Sequence, residues 1–253
     1  MPQRIHSRLK LQADSRGKQE KLVFATADFM SSYTWYDSTN HRYTLSPVLI
    51  PAQENLELET TVNPTFELVY WYWGLKTAQK WRKRLKLDPD PKWDEITEKL
   101  TKPPIQGGLY LCSEDTKDSY LNPSYMSDHP IVSGIQGVLP DTKLVNNKIL
   151  GNSLDTILKK WNWESTWGWD FPMLAMSAGS IGRGEQAIDF LMMDVPKNRY
   201  LLNGHNYQDD RLAIYLPGNG SLLTAVAKMC VSDQFPHNGK WKVKWENLNK
   251  YVK

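Results

Sequence analysis

Residues 165–182 read STWGWDFPMLAMSAGSIG, and the reading of the remaining chain follows from them. From Trp169 onward the run is apolar on nearly every side and Gly182 closes it, which predicts a short helix buried all round. The next segment, GEQAIDFLMMD (184–194), separates polar from apolar residues as a helix with one buried stripe does. An inner helix followed by an outer one is the repeating step of a double layer of helices. SLLTAVAKMCV (221–231) reads as a second inner helix and KWDEITEKL (92–100) as an outer one.

Other segments extend the pattern. EKLVFATADFMSSY (20–33) is a short helix, and TWYDSTNHRYTLSPVLIPAQEN (34–55) is an irregular or hairpin-like excursion. Asn63 reads as an N-cap with Pro64 at the first helical position and Glu67 in the first turn. Phe66, Val69, Tyr70, Trp73, Thr77, Trp81 and Leu85 then keep helical spacing. A helix from DPDPKWDEITEKL (88–100), stopped by Pro103-Pro104, another over 142–161 and a β-strand in GKWKVKWENL (239–248) complete the expectation. The polar segments Gln53-Glu54-Asn55, Asp128-His129, Trp169-Asp170, 203–206 and 217–219 stand just ahead of the more apolar helices. If alternate helices run in one direction, these loops meet at one end.

Composition narrows the function classes. The chain has 253 residues, 40% hydrophobic and 23% charged, enough for one sizeable core. Its net charge of +3 is spread along the chain and argues against a nucleic-acid partner. No apolar run reaches membrane-spanning length, and the basic, polar start has no signal-peptide core, so neither a membrane nor export is expected. Cys112 and Cys230 support neither a disulfide scaffold nor a metal site, and no phosphate-cradling loop or nucleophile elbow occurs; no cofactor and no metal are expected. Eleven tryptophans stand out. Trp71, Trp73 and Trp81 fall inside a helix, whereas Trp167 and Trp169 stand at a helix entrance, where a ring can pack or can meet a ligand face.

Three motifs in order, WGWDFPMLAMSAGSIGRGEQAIDFLM, NGHNYQ and YLPGNGSLLTAVAKM, resemble the C-terminal half of the six-hairpin glycosidases, the (α/α)6-toroid glycoside hydrolases of the family 95 α-L-fucosidase-like and family 65-like branches. The resemblance covers the chain from about Tyr33 on. It implies an all-α fold, a partial (α/α)6 toroid of helical hairpins with a short C-terminal β segment. The incomplete catalytic toroid would span 1–234 and a β-strand tail 235–253. It also implies that the chain is a C-terminal portion, that the absent N-terminal half of the toroid is a possible partner, and that an apolar face is left exposed. Full-length relatives of this kind are periplasmic or secreted.

By that resemblance the chain cleaves a glycosidic bond in an oligosaccharide or glycoside by general acid/base catalysis with inversion. Glu54, in PAQEN ahead of NPTFEL, would be the proton donor, a carboxylic acid that partial burial keeps protonated near neutral pH. The base of the fucosidase-like branch lies in an Asp-Gly-Asn segment, but this chain has Pro217-Gly218-Asn219 there. Asp170 is the substitute candidate, although a carboxylate at a helix start also serves the dipole alone. Asn55, Asn63, Asp128, His129, Trp167, Trp169, Asn203, His205, Asn206 and Asn219 are the expected substrate-binding residues; each also has a plain turn, cap or core reading. The alternative function is a catalytically inactive carbohydrate-binding or partner-dependent fragment.

Overall fold

Every residue from Asp170 to Gly179 is buried, so helix α5 (Asp170–Ser180) has no solvent face. It ends as expected. Gly182, at φ 80°, donates to the Gly179 carbonyl, and Arg183 donates to that of Ala178, the paired closure that a left-handed glycine permits. The computed structural model describes residues 19–46, 48–236 and 238–241. Among these the chain is mostly helical, with seven α-helices and only short strands.

The contacts divide the chain into two units. The first holds the described residues of Met1–Ser46 together with Tyr70–Thr101. Its helix α1 (19–33) leads into the hairpin β1 (Trp35–Asp37) and β2 (Arg42–Thr44), paired antiparallel with Tyr36 opposite Tyr43. Most of helix α2 (Thr65–Arg84) belongs here, and the Trp71 indole donates to the Met30 carbonyl at 3.0 Å. Helix α3 (Pro91–Lys99) starts where Asp90 accepts from the N–H groups of Lys92 and Trp93, with Pro91 needing no partner in the first turn. Trp93 and Ile96 are its buried stripe, and the Arg82 guanidinium stacks 5.6 Å above Trp93.

The second unit holds the described residues of Pro47–Val69 and Lys102–Lys253. Helix α4 (Asn147–Lys160), capped by the Asn146 side chain, buries Leu150, Leu154 and Ile157 at spacings of three and four. Helix α6 (Gly184–Leu191) buries Ala187, Ile188 and Phe190. Two-residue ladders join β3 (Ile105–Gln106) to β4 (Leu109–Tyr110) and β5 (Arg199–Tyr200) to β6 (Asn206–Tyr207). Helix α7 (Leu216–Val231) closes the set, and α5 packs against α4, α6, α7 and the short 3-10 segment Ile131–Ile135.

Contacts at both ends give the direction of these segments. At the start of α5 the Trp169 carbonyl accepts from Ser221 of α7, and at its end Gly179 lies against Gln234, just past α7; the two helices therefore run parallel. Segment 129–137 runs the same way, because His129 meets Asp170 while Gly137 packs on the Met176 backbone. The N-terminal ends of these three segments lie together.

Several boundaries differ from expectation. The helix over 142–161 starts five residues later, at Asn147, and α7 starts five earlier, at Leu216, so 217–219 is a first helical turn rather than a loop; Pro is tolerated there. Asn63, the expected cap of α2, stands one residue ahead of that position: its φ is 52°, and it is the Pro64 carbonyl that accepts the first helical bond, from Leu68. Helix α7 is not buried all round: Gly218, Ala225 and Met229 face inward, while Leu223 is 71% exposed and Leu216 and Val231 are also open. Residues 238–241 form no strand, and 242–253, the bulk of the expected β tail, lie outside the described residues.

Candidate active site

The turn 166–170 is built from outside itself. Helix α5 has no side-chain N-cap, since Trp169 precedes it. Its entrance is held instead by Gln208, which follows β6: Oε1 accepts from the Gly168 N–H at 3.0 Å and Nε2 donates to the Thr166 carbonyl at 3.0 Å. Asn206, on β6, is a second wedge. It is fully buried, its Nδ2 donates to the carbonyls of Lys197 and Arg199, and its side chain fills the space that a Cβ on Gly168 or Gly218 would occupy. Asn219, in the first turn of α7, accepts from the Asn206 N–H and donates to the Gly204 carbonyl. Gly168 of WGW and Gly218 of PGNG thus clear room for one asparagine that joins the starts of α5 and α7.

Within this frame Asp170 turns back on its own entrance. Its Oδ2 accepts from the Trp167 N–H at 2.8 Å, and both oxygens meet His129 Nδ1, at 3.0 and 3.1 Å. The Asp170 side chain is 0% exposed. On the other side of the imidazole, Nε2 lies 3.6 Å from Asp128 Oδ1. Asp128 Oδ2 accepts the backbone N–H of Glu54 at 3.0 Å. Asp128 has φ 59°, an uncommon region for a residue with a side chain, and is anchored by Ser165 Oγ at its N–H and by the Trp161 indole at its carbonyl. Trp169 packs on the imidazole at 4.5 Å between ring centroids, Trp167 at 6.2 Å, and Tyr215 on Trp167 at 5.4 Å.

The loop that carries Glu54 is tied at every residue from 52 to 55. The Ala52 N–H donates to Glu67 Oε1 in the first turn of α2 at 2.7 Å, and the buried Gln53 donates to the Tyr125 carbonyl. The Asn55 amide donates to Ser124 and Ser127. Glu54 itself is exposed, so the described residues do not give it the partial burial expected of a proton donor.

Electrostatically the site is acidic. Burial pushes Asp170 up to about 6, against the downward pull of its bonds to His129 and Trp167. Burial draws His129 down, but the Asp170 hydrogen bond and the charges of Asp170, Asp128 and Glu54 outweigh it, so the net displacement is upward. Asp170 Oδ2 accepts from the Trp167 N–H, and both Asp170 oxygens lie within hydrogen-bond reach of His129 Nδ1, an arrangement that suits a carboxylate facing a ring N–H. Tyr215 is pushed up to about 12, by burial first and then by the charges of Asp170 and Glu54, so its phenol stays neutral. Burial likewise raises Glu67.

Glu54, Asp128, His129, Trp167, Trp169 and Asp170 are therefore brought together, as the loop argument expects. Others serve internal bonds, although Asn203 stays exposed. Asn63 is fully buried and donates to Glu114, and Asn206 is enclosed between two glycines. The amide nitrogens of Asn55 and Asn219 are engaged in internal bonds, and Asn203 accepts from the His205 N–H in the turn between β5 and β6. Sequence reasoning passed over Tyr215, Gln208 and the loop-holding role of Glu67; only Glu67 carried a signal, an acid in a helix's first turn. Among the described residues no group of three or more His, Cys, Asp or Glu side chains is arranged to hold a metal ion, and no helix is long and apolar enough to cross a membrane. No protein-family model and no curated protein matches the sequence.

Proposed function

We propose that the second unit is part of an (α/α)6 toroid of a glycoside hydrolase and that the loops gathered at the start of α5 are its catalytic end. The observation that carries this reading is the convergence of four sequence-distant segments, at 54, 128–129, 167–170 and 215, on one cluster of carboxylates, imidazole and aromatic rings. Parallel α5 and α7, and the exposed apolar row on α7 that a further hairpin would cover, support the toroid.

In this reading Glu54 protonates the leaving glycosidic oxygen. The water-activating carboxylate is Asp128, whose side chain is 18% exposed, rather than the enclosed Asp170. Asp170 acts through His129. Inversion asks for two carboxyls about 6.5 to 9.5 Å apart, with water between them. Trp167, Trp169 and Tyr215 supply flat surfaces for sugar rings. The test is calorimetric titration and turnover with a panel of neutral oligosaccharides and aryl glycosides, with the product anomer followed by NMR. Hydrolysis with inversion supports the reading, and the absence of both binding and turnover defeats it.

The exposure of Glu54 favours a second reading, a carbohydrate-binding fragment without turnover. Saturable sugar binding that Trp167→Ala weakens, with no product formed, would establish it.

A further inference from the structure

His129 faces a carboxylate at each ring nitrogen. Nδ1 lies 3.0 and 3.1 Å from the oxygens of Asp170, and Nε2 lies 3.6 Å from Asp128 Oδ1. A neutral imidazole has one N–H and one lone pair. With its N–H committed to Asp170, the Nε2 lone pair would confront the negative oxygen of Asp128, which repels it. The imidazolium is attracted on both sides. Its side chain is 8% exposed beneath Trp169, so solvent and salt screen these charges little.

The surrounding charges have one sign. Asp170 comes from α5, Asp128 from the histidine's own loop and Glu54 from the loop at 51–55, while the Tyr215 phenol is neutral. Asp128 then hands the connection on, because its other oxygen accepts the Glu54 N–H. A continuous chain runs from the start of α5 through Asp170, His129 and Asp128 to the backbone of Glu54.

We propose that Asp170, His129 and Asp128 form a charged clasp, with His129 as its cation, that positions the Glu54 loop. Its use rests on the reading of Glu54 as the proton donor, but the clasp is measurable without any turnover. His129 has a folded value above its ordinary 6.5, so the histidine's contribution is complete below that and is lost as pH rises through the raised value. On the acid side Asp170 takes up a proton near 6. The fully charged clasp occupies the interval between.

The experiment is 15N NMR of the His129 ring in the whole chain across pH 5 to 9, with hydrogen exchange at the Glu54 amide. We expect both ring nitrogens in the imidazolium form at pH 7. We also expect Glu54 exchange to rise, as His129 deprotonates, by more than the tenfold per pH unit of intrinsic base catalysis. Asp128→Asn and His129→Gln should each speed Glu54 exchange at least tenfold at pH 7. A neutral His129 at pH 7, or Glu54 exchange that follows the intrinsic slope through the histidine titration, overturns the clasp; both need only the wild-type chain. If the clasp is observed while no glycoside is bound or turned over, the assignment of Glu54 as acid fails and the clasp stands.

Discussion

Replacing Gly168 by alanine adds a single methyl group at a point where the structure has no room for it. The new Cβ would lie 2.6 Å from Asn206 Cγ and 2.8 Å from Nδ2, and closer still to Oδ1. Asn206 cannot retreat, being fully buried, bound through Nδ2 to two carbonyls and flanked on its other side by Gly218. Either the packing strains, which typically costs about 1–3 kcal/mol, or Asn206 leaves its seat and loses two hydrogen bonds worth about 0.5–1.5 kcal/mol each. A loss of about 3 kcal/mol is expected from a total that is typically about 5–15 kcal/mol. Urea unfolding measures it as a lower midpoint at unchanged slope. The double variant Gly168→Ala with Asn206→Gly should recover the steric part, so its loss should be smaller than the sum of the single losses. If Gly168→Ala lies within about 0.5 kcal/mol of wild type, the range for substitutions that touch nothing of consequence, the wedge account is wrong.

Asp170→Ala leaves the Trp167 N–H and His129 Nδ1 without their buried acceptor and should cost about 1–3 kcal/mol in the same assay, the imidazole shedding its proton rather than staying charged. Asp170→Asn should cost less, because one acceptor remains. At Gly137, φ is 101° and an added Cβ would sit 2.5 Å from the Met176 carbonyl carbon and oxygen; Gly137→Ala therefore combines backbone strain with a clash against rigid helix, and a clearly lowered melting temperature is expected. Burial pushes the Cys112 thiol up to about 11, so thiol reagents at pH 8 should label it only at the rate of unfolding; prompt labelling of folded protein would contradict its placement.

The helices were legible because burial leaves a periodic trace. The all-round apolarity of α5 follows from what each side must face. In α2, by contrast, the helix was legible but its buried face was not. Leu68, Trp71, Leu75 and Ala78 are buried, and of the expected row only Val69 is, with Tyr70 37% exposed, because aromatic residues are spread round most of that helix. The meeting of the loops at 128–129 and 167–170 was expected if alternate helices share a direction, and α5, α7 and segment 129–137 do run the same way. The individual polar roles were not legible. Asn63, Asn206 and Asn219 look alike in sequence to an asparagine that greets a ligand, because an amide's partner lies far along the chain. The segment 217–219 looks like a turn, whereas Pro217 stands in a helix's first turn and Gly218 makes way for Asn206. Gln208 and Tyr215 are single polar residues in an irregular stretch, where no periodicity marks what is buried. Asp170 reads from the sequence either as a base or as a helix-start carboxylate, and what encloses it, the bonds from His129 and its own turn, has no mark in the sequence.

Under the proposed function Glu54, held by this cluster, gives up a proton during cleavage of a glycosidic bond. The most direct measurement compares wild type with Glu54→Gln on aryl glycosides that differ only in leaving-group acidity. Loss of a general acid should lower the rate by roughly 10²- to 10⁴-fold for a poor leaving group and far less for an activated one, with unfolding midpoints unchanged. Equal hydrolysis by the two proteins across the series would contradict the account.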